Sequence, residues 1–279
     1  MELLRAGGVI ASKYRLERRL GQGGMGQVWV ARHLQLDNDV ALKLLVSEKS
    51  ASPEARARFE REGKSAAQVK SPHIVHVFDY GLDGETPYLA MELLEGEELE
   101  ARLSRVGRLG ASEAFAVLAP VCKALRRIHE AGLVHRDLKP SNVFLARHDD
   151  EDHVKILDFG IAKTTSAVWS GDVTSSGVVV GSPPYMSPEQ VLASKDLDHR
   201  TDLWSAGVIA FRALTGRLPF WSEAVTQLLV EICISPVPLA SRICPDLGPE
   251  VDAFFERALS RDVEERFQTA GELAAAFAE

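Results

Sequence analysis

Leu133-Val134-His135-Arg136-Asp137-Leu138-Lys139-Pro140-Ser141-Asn142-Val143-Phe144 sets one carboxylate, two cations and a carboxamide between two apolar pairs. The pairs predict short strands leading into and out of a polar loop, and Pro140 keeps that loop from becoming helix. Packing alone does not require such a cluster. A polar turn with incidental charges would account for an isolated His-Arg-Asp. Here a glycine-rich loop precedes it and Asp158-Phe159-Gly160 follows it, in an order a chance turn would not produce.

The whole-chain numbers bound the class. At 279 residues, 46% hydrophobic and 26% charged, the chain has an ordinary globular composition, long enough for two lobes with separate cores. Forty acidic against 32 basic side chains give a net charge of −8, which argues against a general phosphate-backbone binder, so no nucleic-acid partner is expected. Cys122, Cys233 and Cys244 are scattered without a C-x-x-C pair and read as thiols in a reducing cytosol. No apolar run approaches the roughly 18 residues of a membrane helix, and the first dozen residues lack the basic and apolar parts of a signal peptide.

Upstream, residues 1–13 read as a leader and Tyr14–Leu20 as a strand. Gly21, Gly23 and Gly26 then stand in G-x-G-x-x-G spacing. Glycines let a backbone lay its N–H groups against phosphate oxygens, but dinucleotide-binding folds use the same string. Those folds open a helix next, whereas Gln27–Val30 is β-branched, aromatic and alternating, which predicts a hairpin over phosphates. Seventeen residues after Gly26, beyond the turn-like Asp37–Asp39, the strand Val40–Leu45 carries Lys43 among apolar residues. Ser52-Pro53 starts a helix predicted to run to Val69. Its Phe59, Glu62, Ala66 and Val69 share one face, and Glu62 there needs a partner, for which Lys43 is the candidate. Gly63 costs about 1 kcal/mol in a helix interior, so Gly63→Ala is expected to stabilise, unless close packing demands the glycine. Ile74–Phe78 and Tyr88–Met91 read as strands, and composition shifts at Glu95-Gly96-Glu97.

Downstream, Ser112 is expected to cap a helix with Phe115, Leu118, Cys122, Leu125 and Ile128 at helical spacing, bent at Pro120 and ending at Gly132. Asp202–Thr215 is apolar on nearly every side and reads as a buried central helix. Pro249–Ala258 and Thr269–Ala278 predict two more. Asp149–Asp152 reads as a solvated hairpin tip rather than a metal site.

Together, Gly21-x-Gly23-x-x-Gly26-x-Val28, Val40-Ala41-Leu42-Lys43, His135–Asn142, Asp158-Phe159-Gly160 and Ser187-Pro188-Glu189 resemble the signature set of eukaryotic-like (Hanks-type) serine/threonine protein kinases, in wording close to the bacterial type. The resemblance covers residues 10–279. It implies an α+β, bilobal fold, with a β-rich N-lobe over about 14–94 holding one main helix, and a mainly helical C-lobe over about 95–279. It implies transfer of the γ-phosphate of Mg·ATP to protein Ser or Thr hydroxyls, with Mn²⁺ as the substitute ion. Lys43, held by Glu62, would bind the α- and β-phosphates. Asn142 and Asp158 would hold Mg²⁺, and Asp137 would accept the hydroxyl proton with Lys139 on the γ-phosphate. The nucleotide would lie against Leu20, Gly21, Gln22, Gly23 and Gly26. The adenine slot falls between Val28 and Ala41 on one side and Phe144 on the other, with Met91 as gatekeeper, backbone groups of Glu92 and Leu94 at its edge, and Glu98 at the ribose. Glu189 would pair with Arg266, and Asp202 would tie the buried helix to the His135-Arg136 backbone. Lys139 and Ser182, in Gly181-Ser182-Pro183-Pro184-Tyr185, carry the serine/threonine specificity.

Residues 164–180 have little apolar surface to bury; the resemblance to bacterial kinases implies phosphorylation at Thr174 and Ser176, and that phosphate would dock on Arg136 and order the loop. Autophosphorylation in a homodimer, acting in trans, is expected. So is a cytoplasmic location, whether as the whole protein or as the cytosolic part of a longer membrane-anchored kinase. The rival in another class is a pseudokinase scaffold, which would have lost Lys43, Asp137, Asn142 or Asp158; none is lost. A small-molecule phosphotransferase is the second rival. Ser182 and Ser187-Pro188-Glu189, which shape a peptide-docking floor in protein kinases, count against it.

Overall fold

The computed structural model describes residues 4–23, 26–45, 57, 59–60, 63–64, 68–148, 151–157, 183–194 and 196–279. The chain divides into two compact units, residues 1–70 with 74–95, and residues 71–73 with 96–279.

The first unit is built on a six-stranded antiparallel sheet in the order β1-β2-β3-β4-β6-β5. Its strands are β1 (Val9–Ile10), β2 (Tyr14–Gly23), β3 (Gly26–His33), β4 (Asn38–Leu44), β5 (Val77–Asp83) and β6 (Thr86–Glu92). One face carries a packed cluster in which Trp29, Ala31, Val40, Leu42, Leu44, Tyr88 and Ala90 are all buried. Residues 4–13 are folded as part of it: Ile10 is buried in the cluster, and the Gly7 and Leu16 amides donate to the Leu16 and Gly8 carbonyls. The sequence shows no period there because the segment is held by two-residue pairing and loop hydrogen bonds.

Several expected boundaries move. Asn38 and Asp39 belong to β4 rather than to a turn, and β5 begins only at Val77. Ile74 and Val75 are buried but precede the strand. Ala57, Phe59, Glu60, Gly63, Lys64 and Gln68 are helical, within the helix expected over 52–69, while Val69 lies past its end. Ser52, Pro53, Glu62 and Ala66 fall outside the described residues. At Gly63 the surroundings favour the close-packing alternative. A Cβ there would come within 2.9 Å of Leu89 Cδ1 and 3.4 Å of the Tyr80 ring, so the glycine lets the helix lie close on β5 and β6.

The second unit carries a small antiparallel sheet, β7 (Gly96–Glu98), β8 (Val143–His148) and β9 (Glu151–Ile156), and is otherwise mainly helical. Its helices are α1 (Leu99–Val106), α2 (Ala111–Glu130), α3 (Pro188–Val191), α4 (Arg200–Thr215), α5 (Val225–Ile234), α6 (Ala240–Ile243), α7 (Glu250–Ala258) and α8 (Ala270–Phe277). The β8–β9 hairpin brackets the acidic stretch, with Glu151 and Asp152 already in β9. In α4 every residue but Arg200 and Arg212 is buried, as expected of a central helix.

In α2 the cap is Gly110 rather than Ser112, because the Leu109 amide is bound to the Ala213 carbonyl and the chain turns into helix directly after it. Phe115 is 37% exposed, since the buried stripe runs through Ala114, Leu118, Val121, Cys122, Leu125 and Ile128. Leu133 and Val134 form no strand; the Leu133 amide instead closes the end of α2 on the Ile128 carbonyl. Pro140 does not merely interrupt the loop but opens a 3-10 turn over Pro140–Asn142. Among the described residues no helix is long and apolar enough to cross a membrane.

Candidate active site

In the first unit the sheet sorts the candidate residues by face. Val28 stands opposite Lys43 and Val30 opposite Ala41 across β3–β4; Ala41 faces Met91 and Lys43 faces Leu89 across β4–β6. Directly opposed residues point to the same side of an antiparallel sheet. Val28, Ala41, Lys43 and Met91 therefore share the face opposite the packed cluster. Lys43 Nζ lies 6.0 Å from the centre of the Phe59 ring, and Phe59 is one of the described helical residues. Glu62 itself lies outside the described residues.

The glycine motif forms the arms of a hairpin, with Gly21 opposite Val28, Gln22 opposite Gln27 and Gly23 opposite Gly26. Leu20, 45% exposed, is the extra residue of a bulge between Arg19 and Gly21. The glycines answer different needs. A Cβ on Gly26 would sit 1.9 Å from the Leu44 carbonyl oxygen, so the chain's own packing demands glycine there. A Cβ on Gly21 would meet nothing within 4 Å, so packing makes no demand on it. At the end of β6 the Glu92 amide donates to the His76 carbonyl and its side chain accepts from the His76 amide. Leu94 follows, half-buried, outside any strand.

In the second unit Asp202, 1% exposed on α4, holds the His-Arg-Asp loop from beneath. Its carboxylate accepts the His135 amide at 2.8 Å, the Arg136 amide at 2.8 Å and His129 Nε2 at 2.9 Å. The Arg136 carbonyl accepts from Gln190 Nε2 at 2.9 Å. Asp137 is steadied by its amide on His135 Nδ1, 3.3 Å, and by Lys139 Nζ at 3.3 Å from its carboxylate. Asn142 Nδ2 donates to the Asp137 carbonyl at 2.8 Å. That bond commits the donor end of the amide and leaves Oδ1, a hard oxygen donor, as the atom suited to a divalent cation. Asp158, the other expected ligand, lies outside the described residues, as do Ser182, Thr174 and Ser176. Glu98 of β7 stands opposite Phe144 of β8, which pairs these two candidates across a ladder.

The supporting residues meet as expected. Arg266, fully buried, donates to Glu189 at 2.8 and 3.2 Å and to the Arg200 and Ser260 carbonyls. The sequence reading missed His129 and Gln190. Gln190 was signalled by Ser187-Pro188-Glu189-Gln190, a capping box that the structure forms. His129, 73 residues from Asp202, carries no local signal.

A glycine hairpin and a strand carrying a half-buried lysine in one unit, and in the next a catalytic-type loop suspended from a central helix, define the protein-kinase fold. The chain belongs to the protein kinase domain family, whose model matches residues 14–277. Its relatives place it with the bacterial serine/threonine kinases. It is 40% identical over 280 residues to serine/threonine-protein kinase PknA of Mycobacterium tuberculosis, covering 98% of this chain and 62% of that one. It is 40% identical over 261 residues to Pkn1 of Myxococcus xanthus, covering 93% and 37%. The crystal structure of the Mycobacterium tuberculosis PknI kinase domain superposes with a TM-score of 0.78 at 29% identity, covering 99% and 98%. The chain thus spans 37% to 62% of the length of these curated relatives. The family uses ATP, a divalent metal and a protein substrate.

Proposed function

We propose that this chain transfers the γ-phosphate of Mg·ATP to Ser or Thr hydroxyls of proteins. The observation that carries the reading is the loop in which Asp202 holds the His135 and Arg136 amides while Lys139 lies 3.3 Å from Asp137. Phosphoryl transfer asks a protein for alignment and charge neutralisation more than for covalent chemistry, and a loop fixed by backbone hydrogen bonds meets that need. Asp137 orients the acceptor hydroxyl and takes its proton; Lys139 neutralises charge on the transferring group. Lys43, held by Glu62, aligns the α- and β-phosphates, and the hairpin of Leu20, Gly21, Gln22, Gly23 and Gly26 covers them. Val28, Ala41 and Phe144 enclose adenine with Met91 as gatekeeper, Glu92 and Leu94 bind its edge, and Glu98 meets the ribose. Asn142 and Asp158 hold the cation, which when bound neutralises phosphate charge. Mg²⁺ is the ion assigned and Mn²⁺ its substitute.

Residues 14–94 and 95–279 are assigned as the two lobes. Thr174 and Ser176 are assigned as autophosphorylation sites that dock on Arg136, whose Nε is buried with no hydrogen-bond partner among the described residues. Modification in trans within a homodimer, and a cytoplasmic location for the chain or for the kinase part of a membrane-anchored protein, complete the reading. Incubation with labelled ATP, Mg²⁺ or Mn²⁺, and a generic basic protein tests it. Label on serine and threonine supports it, and ATP binding without transfer would make the chain a scaffold.

A further inference from the structure

Tyr185 ends the 3-10 turn Pro183–Tyr185, just before the capping box of α3. Helix α4 holds it at both ends: its carbonyl accepts from Ser205 Oγ at 2.8 Å, and its hydroxyl accepts from an Arg212 guanidinium N–H at 2.5 Å. Arg212 also grips the Glu100 carboxylate of α1 with both terminal nitrogens, at 2.6 and 2.5 Å. Hydrogen bonding to Arg212 holds the Glu100 carboxyl below its usual range, so the pair is charged at neutral pH. Burial pushes the Tyr185 hydroxyl up to about 12, so it stays neutral.

Packing does not account for this arrangement. A phenylalanine would fill the Tyr185 site, and an apolar residue would suit α4 at 212, between the buried Phe211 and Ala213. A partly buried Arg–Glu pair loses hydration that hydrophobic residues of similar volume would not. What the three residues do is join two places. Helix α1 begins directly after Glu98, on the nucleotide side of the proposed site, and Tyr185 lies in the segment assigned to peptide docking.

We propose that Arg212 is a positioning residue for the protein substrate: by clamping the Tyr185 hydroxyl to Glu100 it sets the docking segment, so that binding of the acceptor protein depends on this relay. The inference rests on the kinase reading above. It is tested on the wild type and on Tyr185→Phe, Arg212→Gln, Arg212→Lys and Glu100→Gln, with separate KM values for myelin basic protein and for Mg·ATP. Tyr185→Phe is expected to raise the KM for myelin basic protein about fivefold, the order expected for losing one typical hydrogen bond, with less than a twofold change for ATP. Arg212→Gln should have the larger effect, adding Tyr185→Phe to it should change little further, and Arg212→Lys should recover part of the loss. Tyr185→Phe removes a single oxygen, so the test survives even if Arg212→Gln does not fold. Unchanged KM values in Tyr185→Phe, or equal shifts for both substrates, would overturn the inference alone. Absence of phosphate transfer by the wild type would overturn the kinase reading and the inference with it.

Discussion

Arg136 adopts φ +65°, a left-handed conformation that costs a non-glycine residue about 1–2 kcal/mol. It persists because its surroundings over-determine it: Asp202 takes its amide and Gln190 donates to its carbonyl. The strain presents the next residue, Asp137, from a backbone that cannot relax. The pair of Glu189 with the fully buried Arg266 has a different character. Removing the carboxylate would leave a buried guanidinium uncompensated, so Glu189→Ala is expected to cost about 3 kcal/mol in urea unfolding. A loss below about 1 kcal/mol would show that the carbonyls of Arg200 and Ser260 suffice. The Asp202 tie and the Glu189–Arg266 pair were expected from the family resemblance, whereas the Gln190 contact and the left-handed backbone at Arg136 were not. Nor was the Arg212 relay, since Glu100 and Tyr185 lie 112 and 27 positions from it and nothing local marks the three as partners.

Among the elements, the helical residue Gly63 illustrates where local propensity yields to packing. Replacing glycine in a helix favours folding by about 1 kcal/mol, but overpacking costs about 1–3 kcal/mol. With Leu89 Cδ1 at 2.9 Å from the new methyl, Gly63→Ala is expected to lower stability by about 1 kcal/mol; a raised melting temperature would contradict that. Central helix α4 was readable because apolar residues fill nearly every side of it, whereas β1 was not, being two residues long and defined by hydrogen bonds to β2. The strand expected at Leu133-Val134 failed for a related reason: an apolar pair becomes a strand only with a partner, and the Leu133 amide is used by α2. For the segment over 164–180, Thr174→Ala combined with Ser176→Ala should lower activity about tenfold or more if docking of phosphate on Arg136 orders it. Full activity of that double variant, purified free of phosphate, would exclude the switch.

Across the whole molecule, stability should follow pH through groups in both units, His73 and Asp79 among them. Burial lowers the pKa of His73 below its ordinary 6.5, outweighing its hydrogen bond to the Val154 carbonyl. The folded state therefore binds fewer protons, and this contribution is complete above pH 6.5 and declines as pH falls through the lowered folded value. His73→Gln should flatten the slope of stability against pH in that window, and an unchanged slope would remove His73 as its source. Asp79 acts further down. Burial would raise its pKa, but hydrogen bonds from Lys13, Tyr14 and Tyr88 prevail and hold it below 3.8, so its contribution is lost only as pH falls through that lower folded value. This Asp79 cluster ties residues 4–13 to β5 and was invisible in the sequence, because Lys13 and Asp79 stand 66 positions apart. Asp137, held by the Asp202-suspended loop, is the group proposed to take the acceptor proton in phosphoryl transfer. Mass spectrometry of the wild type and of Asp137→Asn after incubation with Mg·ATP tests it most directly. The expected result is added phosphate on wild-type serines or threonines and a loss of at least about a hundredfold in Asp137→Asn, with ATP binding retained. Equal phosphate on both proteins, or none on the wild type, would contradict it.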